Sequence, residues 1–125
     1  MIRTFLSILI ALALILAGTF YEIYYVKNTF SALKSTILSL YDKSESKLAT
    51  YEDGRAVQAF WEAKKKYLQI FLPHTALLEV DYQLGEAVGF LYVQDYDSVI
   101  PKLEILIAMA ENIPESYTFG PENIF

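Results

Sequence analysis

The feature that most constrains this chain is an apolar run from Thr4 to Val26, in which Glu22 is the only charged residue. As an α-helix this run is about 34 Å long at 1.5 Å per residue, and the hydrocarbon core of a bilayer is about 30 Å thick. The run therefore predicts a transmembrane helix at residues 4–26. Residues 1–3 then form a short cytoplasmic terminus, and residues 27–125 form a single domain.

A cleaved signal peptide is the alternative interpretation of this run. Such peptides carry an apolar core of about 7–15 residues followed by small residues at the cleavage site. Residues 17–19, Ala-Gly-Thr, fit that pattern poorly, and the apolar run continues past them to Val26. We therefore favour a retained anchor. Basic residues on both sides blur the orientation signal, but the short tail carrying Arg3 favours a cytoplasmic N-terminus and an extracytoplasmic domain.

Composition and charge limit the classes of partner and site. The chain has no cysteine, which excludes disulfides and thiolate metal sites. Its net charge of −5 argues against a nucleic-acid partner. Residues 27–66 hold eight basic and five acidic side chains, whereas residues 74–125 hold nine acidic ones and only Lys102. The two halves are expected either to pair with each other or to form two solvated faces.

Apolar periodicity predicts four helices after the span, at about 28–51, 55–72, 74–94 and 98–112. The first of these can be continuous with the membrane helix, because neither Pro nor Gly occurs between Val26 and Gly54. Gly54, Pro73 and Pro114 are expected to end successive helices. The expected fold is all-α: an N-terminal transmembrane helix, a small antiparallel helical bundle and an extended tail at 113–125. The aromatic residues of the tail predict that it docks on the bundle.

The polar residues of greatest interest lie on the helical hairpin that reverses at Pro73. Residues equally far from Pro73 lie level on antiparallel helices, so Asp81 is expected to pair with Lys65 or its neighbour Lys64. By the same count Trp61 lies level with Gly85, and Val57 lies level with Gly89. The two glycines are therefore expected to make room for side chains of the preceding helix. The candidate network or pocket consists of Trp61, Lys64, Lys65, His74, Asp81 and Gly85.

This network has a functional and a structural interpretation. It could form a polar pocket for a small ligand or a partner side chain, or a buried ion pair beside a satisfied histidine, and we favour the ion pair. His74 is the only histidine, so a histidine-cluster metal site is excluded. Neither a Gly-rich phosphate loop nor a G-x-S-x-G motif occurs. We expect no catalytic residues, no metal and no cofactor.

Three stretches carry a family resemblance: FWEAKKKYLQIFLPH at 60–74, LLEVDYQL at 77–84 and the terminal ENIF. With them, the chain resembles the bacterial membrane-anchored family catalogued as domain of unknown function 4363. The resemblance implies a membrane location and a helical fold, and it supplies no catalytic residues. Asp95–Leu103 also resembles the opening of a tetratricopeptide helix pair, but one pair is fewer than the three repeats that such folds need.

The expected function is that of a membrane-anchored structural or protein-interaction module, not an enzyme. Its expected partners are the lipid bilayer, through the N-terminal helix, and another membrane protein. The alternative is an extracytoplasmic small-ligand sensor or enzyme that uses the region of Lys64, His74 and Asp81. A closed hairpin interface favours the first function, and a water-filled pocket favours the second. The oligomeric state is left open.

Overall fold

A computed structural model describes residues 1–117, and within them the chain forms four helices and no strand. They are α1 (Ile2–Glu45), α2 (Tyr51–Leu68), α3 (His74–Tyr92) and α4 (Tyr96–Tyr117). Successive helices pack antiparallel, and α4 closes the ring by packing on α1. The α1–α4 and α3–α4 interfaces are the most extensive. The prediction of an all-α antiparallel bundle is confirmed.

The first helix, α1, has two parts with different surroundings. Within the described residues it is the one helix long and apolar enough to cross a membrane, and its most apolar 18-residue window is entirely unburied. From Val26 onward the same helix presents a buried stripe to the bundle, at Val26, Phe30, Leu33, Ile37 and Leu40. This spacing of three and four residues is that of one helical face. The apolar segment and the first bundle helix are therefore one uninterrupted element.

Large aliphatic and aromatic side chains from all four helices form one core. Trp61 of α2 is among the most deeply buried side chains, and its ring lies 6.0 Å from that of Phe30 on α1, centroid to centroid. The other helices contribute mainly leucines, including Leu77, Leu84, Leu91, Leu103 and Leu106. This burial of apolar surface, at about 25 cal/mol per Å², is the main favourable term that holds the helices together.

The connection from α1 to α2 differs from the prediction. Lys47 has a φ of 59°, the left-handed conformation that ends a helix, and α1 ends at Glu45 rather than near residue 51. Thr50 and Asp53 then form a reciprocal capping box that starts α2. Gly54, which was expected to end a helix, instead lies inside the first turn of α2.

The capping box carries a pH dependence. The backbone N–H of Thr50 donates a hydrogen bond to Asp53 and lowers the pKa of that carboxyl. Burial opposes this effect, and the ammonium of Lys43 lowers the pKa further, so that the pKa is lowered overall. A pKa that is lower in the folded chain stabilises the fold at neutral pH. This contribution is fully present above the ordinary value of 3.8 and is lost as the pH falls through the lowered pKa.

The remaining helix ends also shift from their expected positions. α2 ends at Leu68 rather than near residue 72, and α4 continues through Pro114, which was expected to stop it. A proline inside a helix removes one hydrogen bond, but Ile113 and Pro114 are both buried, and that packing offsets the loss. The expected tail is thus helical at 113–117. The prediction that it docks concerns residues 118–125 as well, which lie outside the described part of the chain.

The charge asymmetry is resolved in part by pairing between the two halves. Lys34 lies 2.7 Å from Glu111 across the α1–α4 interface, and Lys65 lies 3.1 Å from Asp81 across the α2–α3 hairpin. Three other ion pairs, Lys43–Asp53, Lys65–Glu62 and Lys102–Glu86, form within the halves. Pairing between the halves therefore accounts for part of the charge asymmetry.

The glycines do not act as the hairpin count predicted. A Cβ added at Gly85 or Gly89 would meet no atom within 4 Å, because both residues face outward. The close approach occurs at buried Gly54, where a Cβ would lie 2.7 Å from Cδ1 of Leu91 and 3.2 Å from Cγ2 of Val88. The prediction that Gly85 makes room for Trp61, and Gly89 for Val57, is wrong because α3 turns these glycines away from α2.

This difference predicts opposite effects of two alanine substitutions. Gly85→Ala should raise the free energy of unfolding by up to about 1 kcal/mol, since alanine favours the helix and the site is open. Gly54→Ala should lower the free energy of unfolding by about 1 kcal/mol. Alanine favours the helix here too, but overpacking against buried Val88 and Leu91 costs more than this gain. Chemical denaturation of the full chain in detergent micelles, followed by the fluorescence of the single tryptophan, measures both. Equal stabilisation by the two substitutions would show that Gly54 is not a packing contact.

Candidate functional site

The candidate site is centred on Asp81, a carboxylate of α3 that faces α2. The indole Nε1–H of Trp61 donates a hydrogen bond of 2.6 Å to Oδ1 of Asp81. Trp61 is 1% exposed, so its N–H has no access to water and depends on this acceptor. The hydrogen bond therefore fixes both the orientation of the indole in the core and the register of α2 against α3.

Lys65 completes the network one helical turn after Trp61. Its Nζ lies 3.1 Å from Oδ2 of Asp81 and 3.1 Å from Oε2 of Glu62. The side chains of Lys65 and Asp81 are 19% and 23% exposed, so this ion pair lies at the edge of the core. We define the Asp81 clamp as Trp61, Glu62, Lys65 and Asp81. Both carboxylate oxygens of Asp81 are engaged in it.

The clamp changes the protonation behaviour of Lys65. Burial lowers the pKa of the Lys65 ammonium, but hydrogen bonds and charge attraction from Glu62 and Asp81 outweigh it, and the pKa is raised overall. A pKa that is higher in the folded chain stabilises the fold below the ordinary value. The contribution is lost only as the pH rises through the raised pKa, so the Lys65 ammonium keeps its charge at neutral pH.

The structure brings together three of the six predicted residues. The pairing of Asp81 with Lys65 agrees with the count from Pro73, and Trp61 joins it through a hydrogen bond that was not predicted. Lys64 instead lies half-buried with its Nζ 5.7 Å from the centroid of the Phe60 ring. Its stem covers apolar surface, as expected for a lysine within an apolar stripe.

His74 and Gly85 stand apart from the clamp. His74 is the exposed first residue of α3, seven residues before Asp81, which is about 10 Å along the helix axis. No hydrogen bond or ion pair joins His74 to Asp81 in the described part of the chain. Gly85 is exposed and borders open space. Lys64 and His74 therefore do not join Asp81 in one network, as the alternative function would favour.

The chemistry of the clamp is that of a satisfied structural network. Its buried donor, the indole N–H of Trp61, has an acceptor, and each carboxylate oxygen of Asp81 accepts from one donor, of which the Lys65 ammonium is charged. Within residues 1–117, no group of three or more histidine or acidic side chains could hold a metal ion. The clamp fastens α2 to α3 and fixes the faces that the hairpin presents outward.

Sequence reasoning missed a surface on the solvent-exposed side of α3. Tyr82, Gly85, Gly89 and Tyr92 are all exposed and lie along one stripe of the helix, and we call them the open face of α3. The signal that could have found them is their spacing of three, four and three residues, which places all four on one side.

Comparison with known proteins adds no relative from which a role could be taken. No protein-family profile matches the chain. Nor does the chain match a curated protein or a solved structure. The resemblance to the family of domain of unknown function 4363 therefore stays a prediction.

The clamp predicts a graded response to substitution of Asp81. Asp81→Ala should lower the free energy of unfolding by about 2–4 kcal/mol, because it leaves the buried indole N–H without an acceptor and Lys65 without its inner partner. Asp81→Asn should cost only about 1 kcal/mol, since the amide oxygen can still accept from the indole. Denaturation in detergent micelles measures both.

Glu62→Ala is the matched control, because it removes the exposed partner of the same lysine. A surface ion pair of this kind should contribute less than about 0.5 kcal/mol. If Asp81→Ala were as mild as Glu62→Ala, the hydrogen bond from Trp61 would not be structurally important.

Proposed function

We propose that this protein is a membrane-anchored interaction module, whose helical bundle lies on the extracytoplasmic face of the membrane and binds another membrane protein. The observation that carries the proposal is the continuity of α1. Its unburied apolar segment passes into the buried stripe that begins at Val26 without a break in the helix. A bundle attached in this way has no flexible linker between it and the bilayer.

The length of the bundle limits which partners it can reach. From Val26 to Glu45 the helix rises about 30 Å at 1.5 Å per residue. The bundle therefore occupies a layer about 30 Å deep next to the membrane and cannot extend farther. Other proteins anchored in the same membrane have surfaces within this layer, which favours a membrane protein as the partner.

The open face of α3 is the surface that best suits such a partner. Each exposed glycine costs the helix roughly 1 kcal/mol relative to alanine, and neither Gly85 nor Gly89 gains a close intramolecular contact in return. The neighbouring Tyr82 and Tyr92 expose rings whose apolar surface and hydroxyl groups suit protein interfaces. A partner helix could approach the backbone closely between the two tyrosines.

The observed geometry gives less support to the alternative, a small-ligand sensor or enzyme. That function was expected to use Lys64, His74 and Asp81 together. Lys64 lies against Phe60, His74 is exposed at the start of α3, and Asp81 is engaged with Trp61 and Lys65. The Asp81 clamp thus resembles the closed interface expected of an interaction module.

Site-specific photocross-linking in native membranes tests the proposal. A photoreactive amino acid in place of Tyr82 should yield a discrete cross-linked product of increased mass, because Tyr82 borders the proposed interface. The matched control is the same substitution at Leu38, an exposed residue of α1, the helix diagonally opposite α3. Equal products from both positions, or none from either, would contradict the interface on α3.

Mass spectrometry of the same membrane extract tests the anchor independently. Peptides covering Phe5 to Lys27 should be recovered, since the apolar segment is retained in the proposal. A mature N-terminus near Phe20 would show that the segment is a cleaved signal and would overturn the membrane-anchored function.

A further inference from the structure

The turn between α2 and α3 carries exposed apolar side chains at the end of the bundle nearest the membrane segment. Ile70 is 73% exposed at this turn, and Tyr67, in the last turn of α2, is also exposed. The adjacent Phe71 packs with its ring centroid 5.9 Å from that of Tyr25 on α1. We call Tyr67, Ile70 and Phe71 the basal patch. The contact between Phe71 and Tyr25 fixes the height of the basal patch along α1.

That height coincides with the edge of the bilayer. A hydrocarbon core of about 30 Å takes about 20 helical residues, which from Thr4 end at Ile23. Tyr25 lies two residues farther, or about 3 Å beyond the core. The polar headgroup layer on each side is roughly 5–8 Å thick. Because Phe71 contacts Tyr25, the basal patch lies within the depth of this layer.

The chemistry of the patch suits that environment. Tyrosine has an apolar ring and a polar hydroxyl and is enriched at membrane–water interfaces. Tyr21 and Tyr24 of α1 are both exposed near the same edge of the hydrocarbon core. Ile70 has no polar group, so its exposure to water is unfavourable and its exposure to acyl chains is favourable. The rings of Tyr21 and Tyr25 stack on each other with centroids 6.2 Å apart, which extends the apolar surface from α1 towards the turn.

We infer that the basal patch is a second membrane contact, through which the α2–α3 turn inserts Ile70 and Tyr67 into the headgroup layer of the bilayer that α1 crosses. The inference rests on the proposed membrane anchor. It adds that the bundle is held at two points, α1 and the turn, so that it cannot rotate freely about the axis of α1. The occupant is the lipid surface itself and requires no further protein.

Lipid-dependent fluorescence quenching tests this contact, and the absence of native cysteine makes single labels possible. The full chain carrying Ile70→Cys is labelled with an environment-sensitive fluorophore and reconstituted into phosphatidylcholine vesicles. The vesicles contain lipids with a spin-label quencher placed either near the headgroup or near the bilayer centre. The expected result is a loss of emission that is larger with the shallow quencher. Tyr67→Cys, labelled in the same way, provides a second reporter on α2.

Two control positions separate this inference from the anchor. Ile10→Cys reports on the span and should be quenched more strongly by the deep lipid. Leu48→Cys is the matched exposed control, because Leu48 is 72% exposed in the α1–α2 loop at the opposite end of the bundle. It should be quenched by neither lipid. An unquenched label at position 10 would overturn the anchor, and with it the contact.

Quenching at position 10 without quenching at positions 70 and 67 would overturn the membrane contact alone. A blue-shifted but unquenched emission from position 70 would also overturn it, because another segment of the chain would then cover the patch in place of lipid. Quenching at position 48 equal to that at position 70 would show that the bundle lies flat on the membrane and would contradict the inferred geometry. Far-UV circular dichroism of each labelled protein confirms that the helices are intact.

Discussion

The rest of the structure depends on the unbroken backbone hydrogen bonding of α1, which runs from the apolar segment into the bundle. A helix of 44 residues is about 66 Å long, far longer than either a bilayer core or the bundle needs alone. With the membrane anchor that we propose, one rigid element serves both purposes, and the sequence of α1 sets the position of the bundle relative to the membrane. The other three helices then pack at the heights that its buried stripe, from Val26 to Leu40, allows.

Within the bundle, the apolar core supplies the stabilisation and the Asp81 clamp supplies the alignment. Leucines can pack in several registers with similar energy, whereas the indole N–H of Trp61 needs one particular acceptor. The ion pair with Lys65 adds little net stability by itself, but it satisfies the second oxygen of Asp81. Fixing α2 against α3 orients two surfaces at once, the open face of α3 and the basal patch at the turn.

The features that follow from local periodicity could be predicted from the sequence. The apolar stripes, the break at Pro73 and the level position of Lys65 and Asp81 all depend on helical spacing and on one proline, and the structure agrees with them. The hydrogen bond from Trp61 to Asp81 was missed because the count from Pro73 placed Trp61 level with Gly85, one turn away. Asp81 accepts from both Trp61 and Lys65, which lie one turn apart on α2, so the register from the count holds and only the second contact was missed.

The features that were predicted wrongly depend on tertiary contacts or on uncommon helix ends. Lys47 and Gln94 adopt left-handed conformations that glycine usually provides, so no glycine marked these ends. Gly54 was assigned to a turn, although it lies within α2 where Val88 and Leu91 pack closely against it. Pro114 continues a helix because it is buried. At Gly54 the deciding contact thus comes from residues distant in the sequence.

The most direct test of the central claim is the distance between two spin labels placed along α1 in a lipid bilayer. Ile10→Cys in the span and Leu38→Cys in the bundle are separated by 28 residues, which corresponds to about 42 Å in one continuous helix. Pulsed electron paramagnetic resonance should give a narrow distribution at this distance, broadened only by the label linkers. A broad distribution, or one centred at a clearly shorter distance, would show that α1 bends or unwinds at the membrane boundary and would contradict a rigidly positioned bundle.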